Sequence, residues 1–295
     1  MRTHDELIPQ LAHARPHRRR RRWVGRILLV VLLLAVGIGG YAGYKGVVTN
    51  FGGPSCQAVA AGQSVNFSPE QTANAATITA VAVRRGLPAR AATIALATAI
   101  QESKLHNIRF GDRDSLGLFQ QRPSQGWGTA DQILDPVHAT NRFYDVLVKI
   151  PGYQTMEITK VAQKVQRSAY PAAYADHEQE GRVLASVLSG HSPGGLGCRL
   201  DPASTVPAPG TLSASLTREL AVQGTPNGRV LSVTAPSAQA AWAVGSWAVA
   251  HADADGITTV TVGDRTWTRD RDKESWSWHA SGSGGPATRV VITLR

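Results

Sequence analysis

The stretch that decides the fold is residues 91–103, which read AATIALATAIQES. Its first ten residues contain no charge, glycine or proline, and this pattern predicts an α-helix buried on most of its sides. The helix delivers Glu102 at its end, where partial burial would raise the pKa of the carboxyl group. The sequence therefore predicts a carboxyl group that can hold a proton near neutrality, as the general acid of glycoside cleavage must.

Two short motifs occur in a fixed order, the first at the end of this helix and the second after it. AIQES at 99–103 is followed by SLGLFQ at 115–120, and together they resemble the Glu-Ser and Gly-Leu-x-Gln motifs of the soluble lytic transglycosylase family. The likeness spans roughly residues 68–188. It implies a mainly α, lysozyme-like domain, which we place at 56–198. The helical patterns within that range agree with this expectation.

The resemblance also implies an activity. Glu102 would protonate the glycosidic oxygen of peptidoglycan at the β-1,4 bond that follows N-acetylmuramic acid. It would then act as a base on the muramoyl C6 hydroxyl, whose oxygen attacks C1 and gives a 1,6-anhydro product. The resemblance implies a glycan-strand-cleaving enzyme of the lyase type that requires neither a cofactor nor a metal.

The remaining site residues follow from the same motifs and from local chemistry. Gln120 matches the glutamine that lines the family's cleft, and Ser103 matches the serine of Glu-Ser. A glycine at 117 permits close approach of the backbone, and an aromatic ring such as Trp127 either stacks on a sugar face or packs in the core. We expect the substrate-binding residues to be Ser103, Gly117, Gln120, Gln121, Trp127, Tyr170 and Tyr174.

The chain departs from the family in one motif. The family has an Ala-Tyr-Asn motif whose tyrosine contacts the catalytic glutamate, whereas residues 169–175 here read AYPAAYA. The asparagine is absent, so Tyr170 is the nearest match and Tyr174 is the substitute. This departure keeps open an inactive, glycan-binding scaffold of an envelope complex as the alternative to an enzyme.

A lysozyme-type hydrolase is a further alternative, because it needs a second carboxylate to activate water or form a covalent intermediate. Asp112 and Asp114 are the only acids in the loop after Glu102. Each is also a good turn former or partner for Arg113. No metal-binding motif is present, since the histidines are scattered and the acids lack the spacing of a calcium loop.

The N-terminal residues have a different character from the rest of the chain. Of the net charge of +10, residues 1–50 supply +7, so the other 245 residues carry only +3. An arginine block at 18–22 precedes 18 uncharged residues at 27–44, which as a helix would span about 27 Å. We therefore predict a cytoplasmic basic tail at 1–22 and a transmembrane helix at 23–48, with a cleaved signal peptide as the alternative.

This topology places the main domains outside the cytoplasm of a single-pass membrane protein. The basic tail could instead bind nucleic acid, but an anchor explains the arginines better, so we expect no nucleic-acid partner.

Cys56 and Cys198 are the only cysteines. An isolated extracytoplasmic pair favours a disulfide over two free thiols.

The C-terminal part reads as a separate small domain. Residues 199–216 are rich in Pro, Gly, Ser and Thr and predict a linker. Beyond it, strand patterns at 230–234, 257–262, 265–269 and 290–294 surround a helix that Ser237 could cap, which predicts an α+β domain at 217–295. Its tryptophans favour packing over a glycan platform, and we expect the domain to bind wall polymer or an envelope protein.

Overall fold

The computed structural model describes residue 40 and residues 53–166, 171–204, 208–282 and 284–295. Residues Pro54–Arg295 form one compact unit. Within the described ranges there are eight α-helices and nine β-strands, and the strands make two antiparallel sheets. Three short 3₁₀ helices, at Pro123–Gln125, Pro171–His177 and Lys273–Trp276, complete the elements.

Six helices build the first part of the unit. They are α1 (Pro69–Arg84), α2 (Ala89–Ser103), α3 (Ala130–Ile133), α4 (Pro136–Leu147), α5 (Ile158–Gln166) and α6 (Glu178–Leu188). Helix α2 contacts α1, α4, α5 and α6, and residues 91–100 are all buried. The predicted buried helix is therefore confirmed, and its small alanines allow helices to approach it on several sides.

Local signals in the sequence set the start of α1. The Ser68 side chain accepts a hydrogen bond from the Gln71 backbone N–H, and the Gln71 side chain accepts one from the Ser68 N–H. This capping box satisfies two donors that the first turn would otherwise leave unpaired. The sequence Ser-Pro-Glu at 68–70 is itself a pattern typical of a helix start, with Ser at the N-cap and Pro at the first position, and α1 begins there.

A small sheet joins the two ends of this first part. Its strands β1 (Ser55–Ala60), β2 (Gln63–Phe67) and β3 (Leu196–Arg199) lie in the order β2-β1-β3. Cys56 pairs with Cys198 in the register of β1 and β3, and the two form the predicted disulfide. No sequence pattern predicts β1, because the residues that this strand buries, Cys56, Ala58 and Ala60, give a weak hydrophobic signal.

The C-terminal part contains helices α7 (Pro209–Leu220) and α8 (Ala238–Ala250) and a six-stranded sheet. The strands are β4 (Thr225–Asn227), β5 (Val230–Thr234), β6 (Ile257–Val262), β7 (Arg265–Thr268), β8 (His279–Ala280) and β9 (Arg289–Leu294). They lie in the order β4-β5-β9-β6-β7-β8, and α8 packs against β6 and β9. The four predicted strands and the helix capped by Ser237 are confirmed.

Tryptophans hold the C-terminal part against the first part. The indole N–H of Trp278 donates to the Leu196 carbonyl at 2.7 Å, and that of Trp276 donates to the Ser55 carbonyl at 3.3 Å. A Cβ at Gly197 would lie 2.3 Å from backbone atoms of Trp276, so the two segments meet closely. Helix α7 begins at Pro209, inside the stretch predicted as a linker.

The predicted fold class, mainly α with one transmembrane helix, is wrong. The described part contains two antiparallel sheets, and the first of them lies within the part predicted to be all-helical. None of the helices in the described ranges has both the length and the apolar composition needed to cross a membrane. Residues 1–22 and 23–48 lie outside the described residues, apart from Gly40.

The disulfide gives a testable prediction about stability. Replacing both Cys56 and Cys198 with Ala should lower the free energy of unfolding by about 4–5 kcal/mol, because the bond closes a long loop in the unfolded chain. Denaturant unfolding of the oxidised protein and the double variant would measure the difference. Reduced wild-type protein is the control and should match the variant; equal midpoints for all three would contradict the prediction.

Candidate functional site

Helix α2 ends where the candidate site begins. Lys104 and Leu105 both adopt the left-handed conformation, with φ of 53° and 61°, and this ends the helix directly after Glu102 and Ser103. The Ser103 hydroxyl is buried and lies within hydrogen-bonding distance of two carbonyls, that of Ala99 (3.0 Å) and that of Leu118 (2.8 Å). Ser103 therefore connects the end of α2 to the Gly-Leu-Phe-Gln segment and fixes where Glu102 lies.

The Gly-Leu-Phe-Gln segment forms a tight loop, residues 116–121. Leu116 and Gln121 pair through two backbone hydrogen bonds, of 2.9 and 3.0 Å. Gly117 has a φ of +74°, and a Cβ there would lie 2.7 Å from the Ile133 carbonyl oxygen. A glycine is thus required at this position both for its backbone conformation and for the close contact with α3.

The two glutamines of this loop have different environments. Gln121 is 2% exposed, and its amide donates to the Ala139 carbonyl at 3.1 Å. Gln120 is half-buried, and its side-chain oxygen lies so close to Gly111 that a Cβ there would be 1.9 Å away. The buried position of Gln121 favours a structural role over the predicted contact with substrate, whereas Gln120 packs against the loop at 111–115.

Glu102 is half-buried and has a buried phenol as its partner. The hydroxyl of Tyr174 donates to Oε1 of Glu102 at 2.5 Å, and the Tyr174 ring is fully buried. Burial raises the pKa of Glu102 above its ordinary value, and side-chain hydrogen bonds from Tyr174 and Gln166 only partly offset this effect. The structure thus brings together a carboxyl group suited to hold a proton and a tyrosine that fixes its orientation.

The tyrosine that contacts Glu102 is the second of the two candidates. Tyr174 lies on the 3₁₀ helix Pro171–His177. Tyr170, the closer match to the family motif, lies outside the described residues. The contact with Glu102 therefore does not depend on the missing asparagine.

The two aspartates in the loop after Glu102 are engaged elsewhere or exposed. Asp114 accepts hydrogen bonds from Arg122 Nε at 2.6 Å and from the backbone and hydroxyl of Ser124 at 2.8 and 3.0 Å. These bonds hold the pKa of Asp114 well below its usual range. Asp112 has a side chain that is 94% exposed and lies 3.9 Å from Arg113. Both match the alternative roles as turn formers and arginine partners.

Trp127 and Gln166 line a small cavity of about 180 Å³. Trp127 is half-buried and packs against the hydrophobic core while also facing this cavity. Gln166 ends α5, and its amide donates to the Phe119 carbonyl at 2.6 Å. Gln166 was not predicted from the sequence, since a lone glutamine at the end of an amphipathic helix belongs to no motif.

No group of three or more His, Cys, Asp or Glu side chains is arranged to hold a metal ion among the residues that the structure describes. At the end of α2, the structure brings together Glu102 and its hydrogen-bonding neighbours Tyr174 and Gln166. A carboxyl group with a raised pKa can donate a proton to a leaving oxygen and later accept one.

Gly117 gives a prediction with a matched control. Gly117→Ala should lower the thermal unfolding midpoint, because the methyl group meets the Ile133 carbonyl and the residue must keep a positive φ. Gly62 has the same φ of +74°, and a methyl group added there would meet nothing within 4 Å, so Gly62→Ala reports the cost of the backbone conformation alone. Differential scanning calorimetry should show the larger loss for Gly117→Ala; equal losses would mean that the contact with Ile133 adds nothing.

Glu102 gives a prediction about stability and pH. Below its ordinary pKa the carboxyl group is protonated in both the folded and the unfolded protein, so it has no effect on stability. As the pH rises toward the raised pKa of the folded protein, ionisation favours the unfolded state, and the wild type loses stability relative to Glu102→Gln.

Thermal unfolding of both proteins from about pH 3.5 to pH 8 would measure this difference. We expect the variant to be the more stable protein at neutral pH and the gap to close in acid. A gap that does not change with pH would show that ionisation of Glu102 carries no cost in the folded protein.

The chain matches no protein-family profile, and no curated protein matches it. The Glu102 site and the resemblance of the motifs at 99–103 and 115–120 are therefore the basis for a functional assignment.

Proposed function

We propose that the protein is a peptidoglycan lytic transglycosylase in which Glu102 is the single acid and base. The observation that carries the proposal is the 2.5 Å hydrogen bond from the buried Tyr174 hydroxyl to Glu102, at the end of a helix that buries the carboxyl group. The Glu-Ser and Gly-Leu-Phe-Gln motifs support it, because Ser103 connects the two through the Leu118 carbonyl.

The proposed reaction needs only one carboxyl group. Glu102 donates its proton to the glycosidic oxygen as the bond from that oxygen to the muramoyl C1 breaks. The resulting carboxylate then removes the proton of the muramoyl C6 hydroxyl, and this oxygen forms a bond to C1. Glu102 regains its proton, and the products are a strand with a 1,6-anhydro end and a strand with a new hydroxyl.

Tyr174 has two effects on this cycle. Its hydroxyl donates to the Oε1 atom of Glu102 and so fixes the orientation of the carboxyl group that exchanges the proton with substrate. It also stabilises the carboxylate that forms after proton transfer, at the stage when burial makes that charge most costly. We infer that Tyr174 takes the role of the tyrosine in the family's Ala-Tyr-Asn motif.

The aspartates give less support to a hydrolase. A retaining or inverting glycosidase needs a second carboxylate about 5–10 Å from the acid, free to act on the sugar or on water. Asp114 is engaged by Arg122 and Ser124, and Asp112 points into solvent. The alternative of an inactive scaffold loses its main argument, since a tyrosine contacts Glu102 although the Ala-Tyr-Asn motif is incomplete.

The location and partners follow from the proposed substrate. The Cys56–Cys198 disulfide supports an extracytoplasmic location, where the peptidoglycan lies. Peptidoglycan glycan strands are the proposed partner. Single-pass attachment to the membrane and an envelope partner for the C-terminal part stay predictions.

A matched pair of variants tests the proposal. Glu102→Gln should lower the rate of strand cleavage by about 10²- to 10⁴-fold, because the amide cannot transfer a proton. Glu157→Gln is the control, since Glu157 is a 72% exposed side chain that pairs with Lys160. Purified peptidoglycan would be digested and the products read by mass spectrometry.

The products distinguish the alternatives. Anhydromuropeptides that depend on Glu102 support the transglycosylase. Reducing-end muropeptides would identify a hydrolase instead. Glycan binding without cleavage by the wild type would identify a scaffold.

A further inference from the structure

The cavity that Trp127 and Gln166 line is basic and lies against an aromatic ring. It is lined by Gln125, Gly126, Trp127, Arg142, Val146, Lys164, Val165 and Gln166. Two of these residues carry a positive charge, and no carboxylate is among the described residues that line it. At about 180 Å³ it is smaller than a typical ligand pocket of about 300–1,000 Å³, so it suits one small group rather than a whole sugar chain.

The two cations differ in how far they are already engaged. Arg142 lies 3.7 Å from Asp145 and donates to the Gly126 carbonyl at 3.3 Å, but Asp145 is bound more closely by Arg85, at 2.9 Å. Lys164 is exposed and forms no ion pair with any carboxylate of the described residues. The cavity therefore keeps an excess of positive charge, which favours an anionic ligand.

Gln166 connects this cavity to the reacting group. It lines the cavity, and its amide is one of the two side chains that hydrogen-bond Glu102. The cavity and Glu102 therefore share Gln166 as a neighbour. Trp127, which lines the same cavity, offers apolar aromatic surface that can pack against a sugar ring.

We propose that this cavity binds a carboxylate of the glycan strand and so selects acidic strands over neutral ones. The inference rests on the proposed function, because the muramoyl unit is what brings an acid to this place. Its lactyl group carries a free carboxylate in strands without peptide, and in peptide-bearing strands the peptide supplies carboxylates. Both sources offer the same chemistry to Lys164 and Arg142.

The test measures binding, so it does not depend on cleavage. Calorimetric titration would use the full chain in the Glu102→Gln background, alone and with Lys164→Gln added. The ligands are an N-acetylglucosamine oligomer, a peptide-free muramoyl oligomer, a peptide-bearing oligomer, and the two acidic oligomers with their carboxyl groups amidated. Lys160→Gln is the matched control, since Lys160 lies one turn earlier on α5 and pairs with Glu157.

Lys164→Gln should weaken binding of the carboxylate-bearing oligomers about two- to fivefold, as expected for a partly exposed ion pair. It should leave the binding of the neutral and amidated oligomers unchanged. Its effect on the carboxylate-bearing oligomers should shrink at high salt. The oligomer that is affected identifies the source of the carboxylate. Lys160→Gln should leave the binding of both the acidic and the neutral oligomers unchanged.

Equal effects of Lys164→Gln on acidic and neutral oligomers would overturn the inference, as would no effect at all. Discrimination by charge in a protein whose wild type does not cleave would support the cavity and refute the proposed reaction. Cleavage that depends on Glu102 without discrimination by charge would support the reaction and refute the cavity.

Discussion

The site depends on the burial of one carboxyl group at the end of a helix that is packed on all sides. Residues 91–100 of α2 are all buried, so the helix cannot shift to expose Glu102 without disrupting the core. Burial disfavours the charged form of Glu102, and the Tyr174 hydroxyl partly compensates for the cost. The free-energy penalty of an ionised Glu102 is what suits this residue to acid–base chemistry, since the group releases its proton less readily than an exposed glutamate.

Connections from distant parts of the chain maintain this arrangement. Ser103 joins the end of α2 to the loop at 116–121, Gly117 lets that loop approach α3, and Tyr174 comes from the 3₁₀ helix before α6. The Cys56–Cys198 disulfide and the small sheet close the chain around these elements. Each contact joins residues that lie close together in the structure but far apart in the sequence. The site therefore forms when the first part of the chain is folded.

The C-terminal part is built into the same unit. Indole N–H groups of Trp276 and Trp278 donate to carbonyls of β1 and β3, the strands that carry the disulfide. Leu200 also donates its backbone N–H to the Asp270 carbonyl. Hydrogen bonds and the close approach at Gly197 therefore join the C-terminal part directly to the small sheet.

The sequence by itself determined the elements with strong local signals: the buried alanine-rich helix, the helix start at Ser68, four of the six strands of the C-terminal sheet and the pairing of the two cysteines. These signals are the hydrophobic periodicity, the helix-capping residues and the presence of two cysteines in the sequence. Tertiary structure decided which tyrosine contacts Glu102, that Gln121 is buried while Gln120 is not, and that Gln166 lies beside the carboxyl group. It also decided the sheet of β1 to β3, whose buried alanines and cysteine are too weakly hydrophobic to mark a strand. The physical reason is that burial and side-chain partners depend on residues distant in the chain, which no local pattern contains.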